Sequence, residues 1–117
     1  MIKLKDLPKN PVETTIKMIG CRWKVLIIRE LLDGTKRFNE LKKSIKGITQ
    51  KVLSAKLKEL EEDELLEREV ISINPPKVEY TLTEVGYSLR SVIEAMKDWG
   101  KDYKKYTKLT ERFGKLI

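Results

Sequence analysis

Histidine is absent from the 117-residue sequence, and cysteine occurs once, as Cys21. The first absence removes the commonest general base and the commonest metal ligand. The second excludes an internal disulfide. No apolar run approaches the roughly 20 residues needed to cross a bilayer, and the opening MIKLKDLPKN has no signal-peptide pattern. The expectation is a soluble, cytoplasmic protein that carries out no catalysis. Its one carboxylate constellation is Glu61, Glu62, Asp63 and Glu64. Four consecutive positions at a helix end point in different directions, so a paired acid and base is not expected there. The chain has no internal repeat, low-complexity tract or linker, and its length suits one domain, residues 1–117, with a core that needs no staple.

Acids are nearly missing from one segment. The net charge is +7, and from Lys36 to Lys58 there are eight basic residues (Lys36, Arg37, Lys42, Lys43, Lys46, Lys51, Lys56, Lys58) against one acid, Glu40. The remainder carries 17 basic and 17 acidic residues and is neutral. Field strength follows local charge density, so such a segment is the footprint of a polyanion partner. The competing explanation is a solvated face in a Lys/Glu-rich protein.

Read for periodicity, NPVETTIKMIG is a capped helix, with Asn10 at the N-cap, Pro11 at the first position, Glu13 able to reach back and Gly20 at the end. RWKVLIIRELLDG is a second helix, apolar on more than one side and therefore central. KRFNELKKSI gives a short third helix that buries Phe38, Leu41 and Ile45. A glycine then breaks the chain before Thr49 caps the next helix. In that fourth helix Leu53, Leu57 and Leu60 form one face, with Gln50, Lys51, Ser54 and Lys58 opposite. LLEREVISI and VEYTL alternate as strands around NPPK, a hairpin with a stiff tip. Thr83 caps a long final helix, in which Gly100 is a point for a bend. Its apolar stripe runs through Leu89, Val92, Ile93, Met96 and Trp99 to Tyr103, Tyr106, Leu109, Phe113 and Leu116.

This order gives a mainly α fold with a small β-hairpin wing, a winged helix-turn-helix whose fourth helix enters a DNA groove. The leucine stripe is expected to pack on the third helix through Phe38 and Leu41, leaving the outward side chains for DNA. Glutamine reads adenine edges, serine either base type, and lysine meets guanine or phosphate. The expected DNA-contacting set is Arg37, Lys42, Lys43, Thr49, Gln50, Lys51, Ser54, Lys58 and Lys77, with Arg68 as a further phosphate contact. An ordinary amphipathic helix explains the leucines equally well, but it does not explain why acids are missing from the outward positions before Glu59.

The same residues carry a resemblance. PVE, WKVLI followed by LLDG, RFNEL, GITQKVLS, KELEED and PPKVEYTLTEVG occur in an order similar to that of the HxlR-type transcriptional regulators, relatives of the MarR group, over about Pro11 to Gly100. The resemblance implies a dimeric DNA-binding regulator with its recognition helix at about Thr49 to Glu61 and its wing near Asn74 to Lys77. Many members carry a cysteine immediately before the Pro-Val of the first helix, and some sense oxidants or electrophiles there. Asn10 occupies that place here, so thiol sensing does not carry over; Cys21 is expected to be a buried structural residue, the alternative being an exposed, reactive thiol at a helix start beside Arg22. A second departure is Glu64, where relatives often have glycine. If the chain turns left-handed at that point, glutamate costs on the order of 1 kcal/mol.

The long C-terminal stripe exceeds what one small domain can bury, so a homodimer interface is expected from Val12, Ile16, Trp99, Tyr103, Tyr106, Leu109 and Phe113. A regulator of this kind needs no cofactor and no metal. Its partners are double-stranded DNA and a second copy of itself, with no membrane. Two other classes remain open: a winged-helix protein binding nucleic acid without strong sequence choice, and a helical interaction module that leaves the basic segment idle. The operator, the sign of regulation and any effector are not legible in the sequence.

Overall fold

The protein is described by a computed structural model covering residues 3–113. After a short 3₁₀ turn, Leu4–Asp6, come helices α1 (Pro11–Ile19) and α2 (Arg22–Leu31), strand β1 (Lys36–Arg37), and helices α3 (Phe38–Ser44) and α4 (Gln50–Glu62). Strands β2 (Leu66–Ser72) and β3 (Lys77–Leu82) follow, then α5 (Glu84–Tyr87) and α6 (Arg90–Phe113). The architecture is the expected one, a mainly α fold with a small antiparallel sheet and a long C-terminal helix. Among the described residues, no helix is long and apolar enough to cross a membrane.

Local chemistry accounts for the helix starts. Asn10 accepts the Val12 N–H at 2.8 Å with Pro11 at the first helical position, and Thr49 accepts the Val52 N–H at 3.1 Å. The core forms around α2, where Ile27, Ile28 and Leu31 are fully buried. Leu41, Leu53, Leu57, Leu60 and Leu66 close over them from α3, α4 and β2.

The basic stretch at Lys36–Arg37, expected to open the third helix, instead forms an edge strand. Lys36 pairs with Tyr80 and Arg37 with Glu79, giving a sheet of order β1-β3-β2. Thr83 does not cap one long helix either. It caps the four-residue α5, accepting the Gly86 N–H at 3.1 Å. The Ser88 hydroxyl then donates to the Val85 carbonyl, and the Leu89 N–H bonds Gly86 three residues back, which tightens and ends the turn. Arg90 starts α6 afresh, its guanidinium donating to the Leu32 carbonyl at 3.0 Å. Helix α6 runs through Gly100 as one element.

Cys21 also differs from expectation. It is the N-cap of α2 and is only half-buried. A cap residue sits at the helix edge, where the neighbouring packing covers one side of it only.

The corner after α4 keeps a left-handed residue. Glu64 has φ 56°, its N–H bonds the Glu61 carbonyl at 3.0 Å, and the Leu65 N–H bonds the Leu60 carbonyl at 3.0 Å. These are the paired bonds of a Schellman ending, with buried Leu60 and Leu65 supplying its apolar contact. The corner holds because the Thr83 hydroxyl donates to the Glu64 carbonyl at 2.7 Å, and because Gly86 lies so close to the Leu65 carbonyl that a side chain there would collide with it. Glu64→Gly is therefore expected to stabilise the fold by about 1 kcal/mol, since only glycine adopts this conformation freely. Thermal unfolding should show a midpoint several degrees higher; an unchanged or lower midpoint contradicts strain at Glu64.

Candidate nucleic-acid interface

Two short helices and the turn between them form the centre of the site. Gly47 takes φ 84°, and the Ile48 N–H bonds the Ile45 carbonyl at 3.3 Å, reversing the chain within a few residues. Buried Ile45, Ile48, Leu41 and Leu53 pin the turn from below.

Leu53, Leu57 and Leu60 face inward on α4 as expected, but they pack chiefly against α2 and β2 rather than against α3. Helix α3 is only seven residues long, and Phe38 at its start is partly exposed, lining a surface hollow beside Leu57. Opposite the leucines, Gln50, Lys51, Ser54 and Lys58 are all exposed, and Thr49 is exposed at the cap. Ala55 shares this outward face and was not singled out from the sequence, where an alanine in a helix carries no signal. Its small side chain lets the helix approach a groove floor closely, and its methyl suits a thymine methyl.

Two members of the basic segment are committed elsewhere: Lys36 lies 3.4 Å from the Glu30 carboxylate of α2, and Lys56 is paired within α4. Lys56 lies 3.1 Å and Lys24 of α2 3.3 Å from the Glu59 carboxylate, which ties the orientation of α4 to the central helix. The hydrogen bond from Lys56 lowers the Glu59 pKa below its ordinary value of 4.5; burial opposes it, and the hydrogen bond from Lys24 adds to the lowering. Folding thus favours the ionised carboxylate. The contribution is full above that ordinary value and fades as the pH falls through the lowered one. Solvent screening keeps it small, because the Glu59 side chain is 44% exposed.

The remaining cations surround α4. Arg37 is exposed where β1 meets α3, its backbone N–H held by the Glu40 carboxylate at 2.9 Å. Lys42 and Lys43 are exposed in the last turn of α3, and Lys46 is exposed in the reversal. Within the wing, Lys77 pairs with Ser72 and is half-buried, whereas Arg68 is exposed. Arg68 lines the same surface hollow as Ser54 and Lys58, together with Phe38, Leu57, Glu61 and Tyr80. Arg68 is thus a wing residue that shares a surface hollow with the recognition face, where the sequence pointed first to Lys77. The signal that identifies it is register: Arg68 pairs with Tyr80, whose ring is buried beneath it. Among the described residues, no group of three or more His, Cys, Asp or Glu side chains is placed to hold a metal ion.

A second surface lies apart from this one. Val12 and Ile16 are 67% and 58% exposed on α1, and Trp99, Tyr103, Tyr106 and Leu109 are 46–69% exposed along α6. Trp99 and Tyr103 stack with their ring centroids 5.2 Å apart. The Phe113 side chain and Leu116, expected to continue the stripe, lie outside the described residues. The radius of gyration is 17.4 Å, against about 13 Å for a compact domain of this length. The excess reflects α6, whose 24 residues extend well beyond the core.

Known proteins share this arrangement. The family model described as HxlR-like helix-turn-helix matches residues 18–108. The HTH-type transcriptional regulator YdeP of Bacillus subtilis (strain 168) is 53% identical over 99 residues, spanning 85% of this chain and 77% of YdeP. The redox regulator HypR in its reduced form superposes with a TM-score of 0.79 at 42% identity, covering 85% of this chain and 98% of HypR. Quinone-bound YodB from B. subtilis gives 0.67 at 42% identity, over 78% and 96% of the two chains. With a family match over most of its length and relatives this similar, the chain belongs to the HxlR-like helix-turn-helix family of transcriptional regulators.

Proposed function

We propose that the protein is a cytoplasmic, sequence-specific DNA-binding regulator that acts as a homodimer on a palindromic operator. The observation that carries this reading is the outward face of α4, where Gln50, Ser54 and Ala55 lie exposed among Lys51 and Lys58 with no acid between them. Arg37, Lys42, Lys43 and Lys77 flank that face and serve as phosphate anchors, and Arg68 joins them from the wing. Thr49 places the helix N-terminus, with its unsatisfied N–H groups, toward the backbone. Dimerisation through Val12, Ile16 and the α6 stripe of Trp99, Tyr103, Tyr106, Leu109 and Phe113 supplies the two-fold symmetry.

Selecting bound fragments from a pool of random duplex DNA with the purified protein tests the proposal. A two-fold symmetric consensus is the expected outcome. Enrichment of DNA without a shared motif would instead favour an architectural, sequence-tolerant binder.

A further inference from the structure

Building on the proposed DNA binding, the tip of the wing presents a surface of a different kind. From Val70 to Pro76 the chain reads VISINPP, seven residues without a charge in a protein in which 37% of residues are charged. Ile73 is 84% exposed, Val70 50% and Ile71 43%, and Asn74, Pro75 and Pro76 are exposed beside them. None of this apolar surface is needed by the core, which ends near Leu66, Tyr80 and Leu82 at the base of the hairpin. From Arg68 to Ile73 the strand reaches out roughly 16 Å at the usual rise per residue. The pairing register shifts between Val70 and Ser72, leaving a bulge at Ile71 that adds local twist to the hairpin.

Two cations stand behind this tip, Lys77 opposite Ser72 and Arg68 beside Ser54 and Lys58 of the recognition face, while Glu67, Glu69 and Glu79 lie at the alternate positions, on the face of the hairpin opposite Arg68. A hairpin with phosphate anchors at its base and a narrow, uncharged, proline-stiffened point matches a minor groove about 6 Å wide and 7.5 Å deep. Proteins that insert isoleucine or proline there partly unstack a base step and kink the duplex. We propose that Ile73, backed by Pro75 and Pro76, is an apolar wedge for the DNA minor groove flanking each half-site. The wing then selects deformable steps through shape rather than through charge.

Ile73→Ser tests this on the duplex that the wild-type protein selects from the random pool, carrying a fluorophore at each end. At 84% exposure the change should leave the thermal midpoint unaltered, which confirms that the variant folds. Affinity is expected to fall about tenfold per wing seated. The slope of log affinity against log salt should stay the same, since no cation is lost. Energy transfer between the duplex ends, raised by wild-type binding, should return toward the free-DNA value. Ile73→Arg should restore affinity with a steeper salt slope, while the bend stays lost. Equal affinity and equal end-to-end transfer for wild type and Ile73→Ser would overturn the wedge while leaving DNA binding intact. A fall in solution mass on Ile73→Ser would also overturn it, and would assign the tip to self-association. If the wild type binds no duplex at all, the underlying DNA-binding reading fails instead.

Discussion

Truncation after Gly100 is expected to halve the solution mass of the protein and to weaken its binding to the selected duplex by about 100-fold or more. The intact chain should scatter light as twice its 13.7 kDa. The segment removed carries Tyr103, Tyr106 and Leu109, each about half exposed, whereas the core contribution of α6 ends at Val92 and Ile93. With Met96, Trp99, Val12 and Ile16, the exposed apolar side chains offer on the order of 800 Å² per copy, the size of a standard stable interface. Loss of the dimer turns two linked half-site contacts into one, and the avidity so lost is typically 10²–10⁴-fold. Because Ile93 and the residues before it remain, the truncated chain should stay folded, losing only the helical signal of the α6 residues removed. Replacing Trp99 and Tyr103 with alanine, which removes a stacked pair and no backbone, gives an independent variant with the same expected direction. A truncated chain that stays dimeric, or a monomer that binds as tightly as the intact protein, would show that the interface lies elsewhere.

The second large effect separates reading from anchoring. Gln50 and Ser54 lie one turn apart on the exposed face in the first half of α4, the part of a recognition helix that meets base edges. Gln50→Ala is expected to cost about 1 to 3 kcal/mol per half-site on the selected duplex and little on random duplex, with a nearly unaltered salt slope. Neutralising Lys42, Lys43 or Lys77 should weaken both DNAs and make the slope of log affinity against log salt shallower by about 0.9 per contact, or about twice that for a dimer. Titrations of both duplexes at several salt concentrations resolve the two classes. Equal weakening of both DNAs by Gln50→Ala, or loss of specific binding alone on changing a lysine, would refute the division.

Much of this arrangement was legible because its causes are local. The cap residues Asn10 and Thr49, the leucine spacing in α4 and the double proline of the wing each act within one turn of chain, and each appears where it was expected. At Glu64 the missing glycine marked the place, but the sequence left open whether the helix end would change there; the left-handed turn is kept. What the sequence concealed depends on partners distant in the chain. Lys36 and Arg37 pair with Tyr80 and Glu79 across more than forty residues, so a helical pattern gave way to an edge strand. The stop after Tyr87, where Ser88 bonds back to Val85 and the Leu89 N–H to Gly86, is hidden by an apolar period running through both segments. Lys56 counted as one more cation in a basic run until its ion pair with Glu59, which Lys24 shares, engaged it, and Arg68 gained its importance only through its position beside Ser54 and Lys58. Cys21, expected to be buried, is left half-covered by its place at a helix cap.

Chemical interference mapping on the selected duplex, with guanine N7 methylation for the major groove and adenine N3 methylation for the minor groove, tests the two-fold reading most directly. A dimer placing two α4 helices in successive major grooves should show two symmetric N7 patches about 10 base pairs apart, centre to centre. Minor-groove interference should flank each patch where the wing descends. A single asymmetric patch, or interference spread evenly along the duplex, would contradict a symmetric dimer reading its operator through Gln50 and Ser54.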